Sequence, residues 1–122
     1  MIGYVTFGTN DLQRAAKFYD ELLAVLGAKR AKELETFIAW ASAPNTPMVS
    51  IIKPFDKKAA TVGNGVMVAL AASSKEQVDA IHAKALALGG KDEGAPGPRG
   101  DGFYAAYFRD LDGNKLNAFF MG

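Results

Sequence analysis

One pattern runs twice through this chain: a short apolar strand, a capped amphipathic helix ending at glycine, then further strands. Tyr4 and Met67 open the two copies, and Gly27 and Gly90 close their helices, at one common spacing of 63 residues (67 − 4 and 90 − 27). A repeat of this kind constrains the fold more than any single motif, because each copy must form the same supersecondary unit. The expectation is an α+β chain of two β-α-β-β-β units, spread over 1–122 as a single domain. Unit one covers about 1–54, a surface linker about 55–64, and unit two about 65–122.

In the first copy, Ile2 to Phe7 is rich in β-formers, and Gly8-Thr9-Asn10-Asp11 breaks it while offering helix caps. From there Leu12, Ala15, Ala16, Tyr19, Leu22, Leu23 and Leu26 recur at three and four residues, one face of a helix that Gly27 stops. Ala28 to Glu33 fits neither period. Thr36 to Ala41 and Pro47 to Ile52 read as strands around the turn-forming Ala43-Pro44-Asn45-Thr46.

In the second copy, Val66 to Leu70 is a strand, and Ser74-Lys75-Glu76-Gln77 fits a capping box. The helix it opens carries Val78, Ile81, Ala85 and Leu88 on one face and ends at Gly89-Gly90. Asp92 to Gly102, rich in Gly and Pro, reads as a long loop, either functional or a plain exposed excursion. Phe103 to Phe108 and Lys115 to Phe120 close the chain as strands, joined at Asp112-Gly113, a strong hairpin signal.

Composition removes several classes of function. With no cysteine, neither a disulfide framework, a thiolate metal site nor a cysteine nucleophile is possible. Lys+Arg 14 against Asp+Glu 13, scattered along the chain, leaves no concentrated basic face for nucleic acid. No apolar stretch approaches the roughly 20 residues of a membrane span, and no signal peptide is visible after Met1. The expectation is a cytoplasmic protein with no nucleic-acid or membrane partner.

The helix beginning Asp11-Leu12-Gln13-Arg14-Ala15-Ala16-Lys17-Phe18-Tyr19 directly after a first strand, together with the late Arg109-Asp110-Leu111-Asp112-Gly113-Asn114 turn, resembles the vicinal oxygen chelate superfamily. That superfamily includes glyoxalases, bleomycin-resistance proteins and extradiol dioxygenases. The resemblance implies open, curved mixed sheets around a cleft with the helices outside. It also implies up to four metal ligands, commonly His, His or Gln, Glu and Glu, on the first and last strands of each unit. Carried onto this chain by motif position, those places fall at Tyr4, Ser50, Met67 and Asn117. Phenol, hydroxyl, thioether and amide are a poor set for a divalent ion, which wants carboxylate or imidazole. The single histidine, His82, lies in the second helix. No metal of the usual kind and no other cofactor is therefore expected.

Tyr4 and Asn117 are the candidate catalytic pair, able to donate hydrogen bonds to a ligand carbonyl or enolate; equally, Asn117 satisfies a neighbouring backbone group and Tyr4 fills a vacant metal cavity. Ser50, Met67, Trp40, Arg99, Tyr104 and Tyr107 are candidate ligand-binding residues, with Arg99 beside Asp101 suited to an anionic group. Alternation puts Tyr104, Ala106 and Phe108 on one strand face and Phe103, Ala105, Tyr107 and Arg109 on the other. His82 is read as a partly exposed helix residue within reach of Asp79.

Three functions compete. The first is a bleomycin-resistance-like protein that binds an apolar or aromatic small molecule in the cleft of a homodimer. The second is a glyoxalase-like lyase or isomerase working without metal or with an atypical metal site. The third is a structural or regulatory dimer, since fold does not imply function.

Overall fold

Both helices start on side-chain caps in extended backbone, 63 residues apart (74 − 11). Asp11 Oδ1 accepts the N–H of Arg14 at 3.1 Å, and Ser74 Oγ accepts that of Gln77 at 3.1 Å. The Gln77 side chain reaches back to the Ser73 N–H at 2.7 Å, one residue before the cap, so the cap satisfies one orphan donor of the helix and the glutamine a backbone N–H just outside it. The computed structural model, which describes residues 1–122, places α1 at Leu12–Ala24 and α2 at Lys75–Ala87, the same spacing at both ends.

Contacts divide the chain into two units, Met1–Val62 and Gly63–Gly122. The first contains β1 (Tyr4–Gly8), α1, β2 (Lys29–Glu33), β3 (Phe37–Ala41) and β4 (Met48–Ile52). Its sheet runs β1-β4-β3-β2, with β1 and β4 parallel and the other pairs antiparallel. The second contains β5 (Val68–Ala71), α2, β6 (Lys91–Pro98), β7 (Phe103–Arg109) and β8 (Lys115–Met121). Its order is β5-β8-β7-β6, again with one parallel pair, β5 with β8. Neither sheet closes. Residues 55–62, expected as linker, belong to the first unit, where Asn10 exchanges hydrogen bonds with the Ala60 N–H (2.7 Å) and C=O (3.3 Å).

Each core lies between one helix and one sheet face. In the first unit α1 buries Leu12, Ala15, Ala16, Phe18, Tyr19, Leu22 and Leu23. Phe7 stacks on Tyr19 at 6.0 Å, and Tyr19 meets Trp40 at 5.8 Å. Trp40 Nε1 donates to Asp20 Oδ1 at 2.9 Å, while Arg30 grips both oxygens of the same carboxylate at 2.8 and 2.7 Å. One Asp on α1 thus ties β2 and β3 to the helix. The Arg30 guanidinium, followed by the indole N–H, holds the Asp20 carboxyl below its usual range against the opposing effect of burial. Arg30 also pairs with Glu33 and lies 5.9 Å from the Trp40 ring centre.

In the second unit α2 buries Val78, Ile81, His82 and Ala85. His82 corrects the sequence expectation twice. It is only 7% exposed, and its Nε2 meets Asp92 Oδ1 on β6 at 3.0 Å, whereas Asp79 accepts the Tyr104 hydroxyl at 2.7 Å. His82 and the Gly94 N–H both bond the Asp92 carboxylate and keep its pKa low; the carboxylate of Asp79 pushes the Tyr104 phenol up. Two polar bonds therefore join α2 to β6 and β7.

The expected Gly-Pro loop is mostly β6. Lys91–Pro98 pairs antiparallel with β7, with irregularities between Asp92 and Gly94 and between Gly94 and Gly97. Prolines cannot donate to a ladder, and they are tolerated here because β6 is an edge strand. After β7, the turn to β8 is organised by Asp110, 6% exposed, whose Oδ1 accepts the N–H groups of Asp112 and Asn114, each at 2.9 Å. Gly113 takes φ 93°, as the hairpin signal required.

Candidate functional site

Each sheet has a second face that carries no helix, and strand register decides which residues stand there. On β1 and β4, Thr6 pairs with Ser50; on β5 and β8, Ala69 pairs with Asn117. Thr6 and Ala69 are 63 residues apart (69 − 6), so Ser50 and Asn117 are structural counterparts. Phe7 and Leu70, their strand neighbours, are buried on the helix side, which leaves Tyr4, Thr6 and Ser50, and Ala69 and Asn117, on the helix-free faces.

The four positions expected from the resemblance differ sharply in environment. Tyr4 is 56% exposed and meets Phe37 edge-on at 5.8 Å; Met67, just before β5, is 40% exposed. Ser50 and Asn117 are buried. The Asn117 amide donates to the carbonyls of Ala106 (3.1 Å) and Ala118 (3.3 Å), so its N–H groups serve the backbone. Ser50 is the opposite case: its Oγ is the one buried side-chain polar atom without a hydrogen-bond partner. A buried hydroxyl left unpaired costs about 1–3 kcal/mol, so it stands out among otherwise satisfied groups.

Trp40 and Tyr104 are not on these faces. Both stand on the helix side, Trp40 against Tyr19 and Asp20, and Tyr104 against Asp79. Three residues separate Tyr104 from Tyr107 along β7, an odd step that puts them on opposite faces, and only Tyr107 remains on the helix-free one. There the Arg99 guanidinium lies 5.6 Å from the Tyr107 ring centre and the Lys115 ammonium 5.5 Å. Arg99 bonds the Ala95 carbonyl at 2.7 Å and forms no pair with Asp101, which occupies the turn at φ 52°. Arg109 beside them is paired with Glu93 at 2.7 Å, and that guanidinium keeps the Glu93 carboxyl ionised to lower pH. The stacked Phe103 and Phe119, 5.5 Å apart, complete the row.

Lys115, Phe103 and Phe119 are absent from the sequence-based site. The Asp112-Gly113 hairpin could have found them: it sets Arg109 opposite Lys115, and register then carries Phe103, Ala105 and Tyr107 to one face with Asn117 and Phe119.

Chemically, neither helix-free face suits a metal. No group of three or more His, Asp or Glu residues is arranged to hold an ion. His82 belongs to α2, with its Nε2 on Asp92. Hydroxyl, phenol, thioether and an amide whose N–H groups serve the backbone do not fit the oxygen- and imidazole-rich sets that divalent ions take.

A family model described as the Glyoxalase/Bleomycin resistance protein/Dioxygenase superfamily matches residues 1–118. The chain belongs to this superfamily. Its structure is similar to that of a glyoxalase/bleomycin resistance protein from Albidiferax ferrireducens T118, with 39% identity, TM-score 0.91, and 100% of this chain and 99% of that one covered. It also shares its fold with a glyoxalase/bleomycin resistance protein/dioxygenase family enzyme from Burkholderia phytofirmans PsJN (19% identity, TM-score 0.78, 98% of each chain). The same holds for a lactoylglutathione lyase from Agrobacterium tumefaciens (21%, TM-score 0.70, 98% of this chain and 92% of that one). A comparison with curated proteins gives no match. No helix is long and apolar enough to cross a membrane.

Proposed function

We propose that this superfamily member is a small-molecule-binding protein that takes an apolar or aromatic metabolite on its helix-free sheet faces without a metal. One observation carries the reading: the Ser50 hydroxyl, buried and unpartnered, where its register counterpart Asn117 has its amide N–H groups satisfied. Buried polar groups are normally paired, and one that is not invites a role in binding. Ser50 is flanked in register by Thr6 and Ala39 and is fully buried, and the touching rings of Tyr4 and Phe37 stand on the same face. A ligand carbonyl or hydroxyl that displaces the side chains covering Ser50 would complete the missing bond while its body lies on the aromatic edge. Cytoplasmic location and a homodimer belong to the same proposal. The edge strands β1, β2, β5 and β6 leave backbone groups that a second copy would cover.

The test is a thermal-shift screen of small aromatic and apolar metabolites in the presence of EDTA, on the wild type and Ser50→Ala. Without ligand, Ser50→Ala should be more stable by about 1 kcal/mol, because an unsatisfied hydroxyl is removed. With ligands that stabilise the wild type, the variant should show a smaller shift. A variant that is less stable without ligand yet keeps the full ligand shift would refute the assignment of Ser50. A metal-free lyase or isomerase on the same face is the second reading, favoured only by the exposed Tyr4, which shares that face with Ser50. Turnover that persists in EDTA and falls in Tyr4→Phe would select it.

A further inference from the structure

On the second unit, the helix-free face has a composition that the proposal above does not require. Arg99, from beyond β6, and Lys115, at the start of β8, both lie beside the ring of Tyr107 on the intervening β7. Arg109 on the same face is neutralised by Glu93, but neither Arg99 nor Lys115 forms an ion pair. The chain is built to let the guanidinium lie there. A side chain at Gly94 would begin 3.1 Å from Tyr107 Cδ1 and 3.4 Å from Arg99 Nη2, and one at Gly97 would begin 3.1 Å from Arg99 Nη1. Both glycines sit in β6, at its register irregularities. The Ala95 carbonyl then fixes one end of the fork at 2.7 Å and leaves its remaining N–H groups available.

We infer that Arg99 and Lys115, set about Tyr107, form a binding site for the carboxylate of an aromatic small molecule. The guanidinium offers paired N–H donors that match a carboxylate, and the ammonium adds a point charge beside the same ring. The half-buried Phe103–Phe119 stack on the same face gives the ligand's ring an apolar surface. Glu93, paired with Arg109, is the nearby carboxylate that also acts on Lys115, and neither it nor any other carboxylate forms an ion pair with Arg99 or Lys115. The site rests on residues other than Ser50 and can fail independently of it.

The experiment is an NMR titration of the ¹⁵N-labelled full chain with 2-naphthoate, and in parallel with 2-naphthamide, its uncharged counterpart. Expected is saturable movement of the Tyr107, Arg99 and Phe119 amide signals with naphthoate, at least tenfold weaker binding of naphthamide, and weakening of naphthoate by rising salt. Arg99→Met and Lys115→Met, both at exposed or half-exposed positions and so expected to fold, should each lower naphthoate affinity at least fivefold. Equal binding of the two compounds would overturn the carboxylate assignment, and so would wild-type affinity in both variants. No saturable binding of either compound up to millimolar concentration would overturn the site altogether.

Discussion

Trp40→Ala should destabilise the protein by about 3–5 kcal/mol, as removal of a large buried aromatic does. Trp40 is 2% exposed and sits where three elements meet: its ring is against Tyr19 of α1 and near the Arg30 guanidinium of β2, and its Nε1 bonds Asp20. The truncation leaves a cavity and also removes one of the donors that hold Asp20. Trp40→Phe separates the two effects, since it fills most of the space and deletes the N–H; its cost should be about 1–2 kcal/mol, the scale of one bond to a charged, partly exposed acceptor. Urea denaturation of the three proteins measures both values. A loss under about 1 kcal/mol for Trp40→Ala would mean that the α1 core does not depend on this residue.

Gly90→Ala is the second large effect, and it arises from close backbone approach. A Cβ at position 90 would lie 2.7 Å from the Arg109 carbonyl and 2.8 Å from that of Ala85, neither of which can move without disturbing β7 or α2. The loss should be about 2–3 kcal/mol, at the upper part of the range for overpacking. Gly27→Ala is the informative comparison. Gly27 adopts φ 75°, yet nothing lies within 4 Å of a Cβ there, so only the left-handed backbone is penalised, at about 1–2 kcal/mol. Gly27 and Gly90 share the 63-residue spacing, but the left-handed place that Gly27 fills is taken in the second unit by Gly89 (φ 99°), so the two glycines are needed for different reasons. Equal effects in thermal or urea melts would contradict that distinction.

These glycines also show how the chain could be read from its sequence. The 63-residue spacing located both helices, because caps and apolar periodicity are local signals that Asp11, Ser74, Tyr19 and Ile81 carry plainly. Two edge strands were hidden. Every residue of β2, Lys29 to Glu33, is exposed, so it has no buried face to show as alternation; β6 contains two glycines and two prolines and is interrupted by irregularities. Edge strands are recognised by their partners, which local sequence does not reveal.

The candidate site was legible to the same extent. Alternation along β7 sorted Tyr107 from Tyr104 correctly, but which set faces the helix depended on Asp79 and Asp92, contacts made across the fold. Sequence alone leaves Trp40 in the expected ligand wall, because an aromatic on a strand looks alike from either side. His82 was expected at Asp79, its neighbour along the helix, and its real partner comes from β6, a strand not visible in the sequence. The absence of a hydrogen-bond partner at Ser50 is likewise a property of three-dimensional surroundings alone.

We propose that this superfamily member binds a small molecule on its helix-free sheet faces, with a donor set unsuited to a metal ion. Elemental analysis of the purified protein, before and after incubation with Ni, Zn, Mn and Fe(II) and removal of free ion, tests it most directly. The account predicts no stoichiometric metal under any of these conditions. About one tightly held ion per chain, lost in Ser50→Ala or Asn117→Ala, would contradict it.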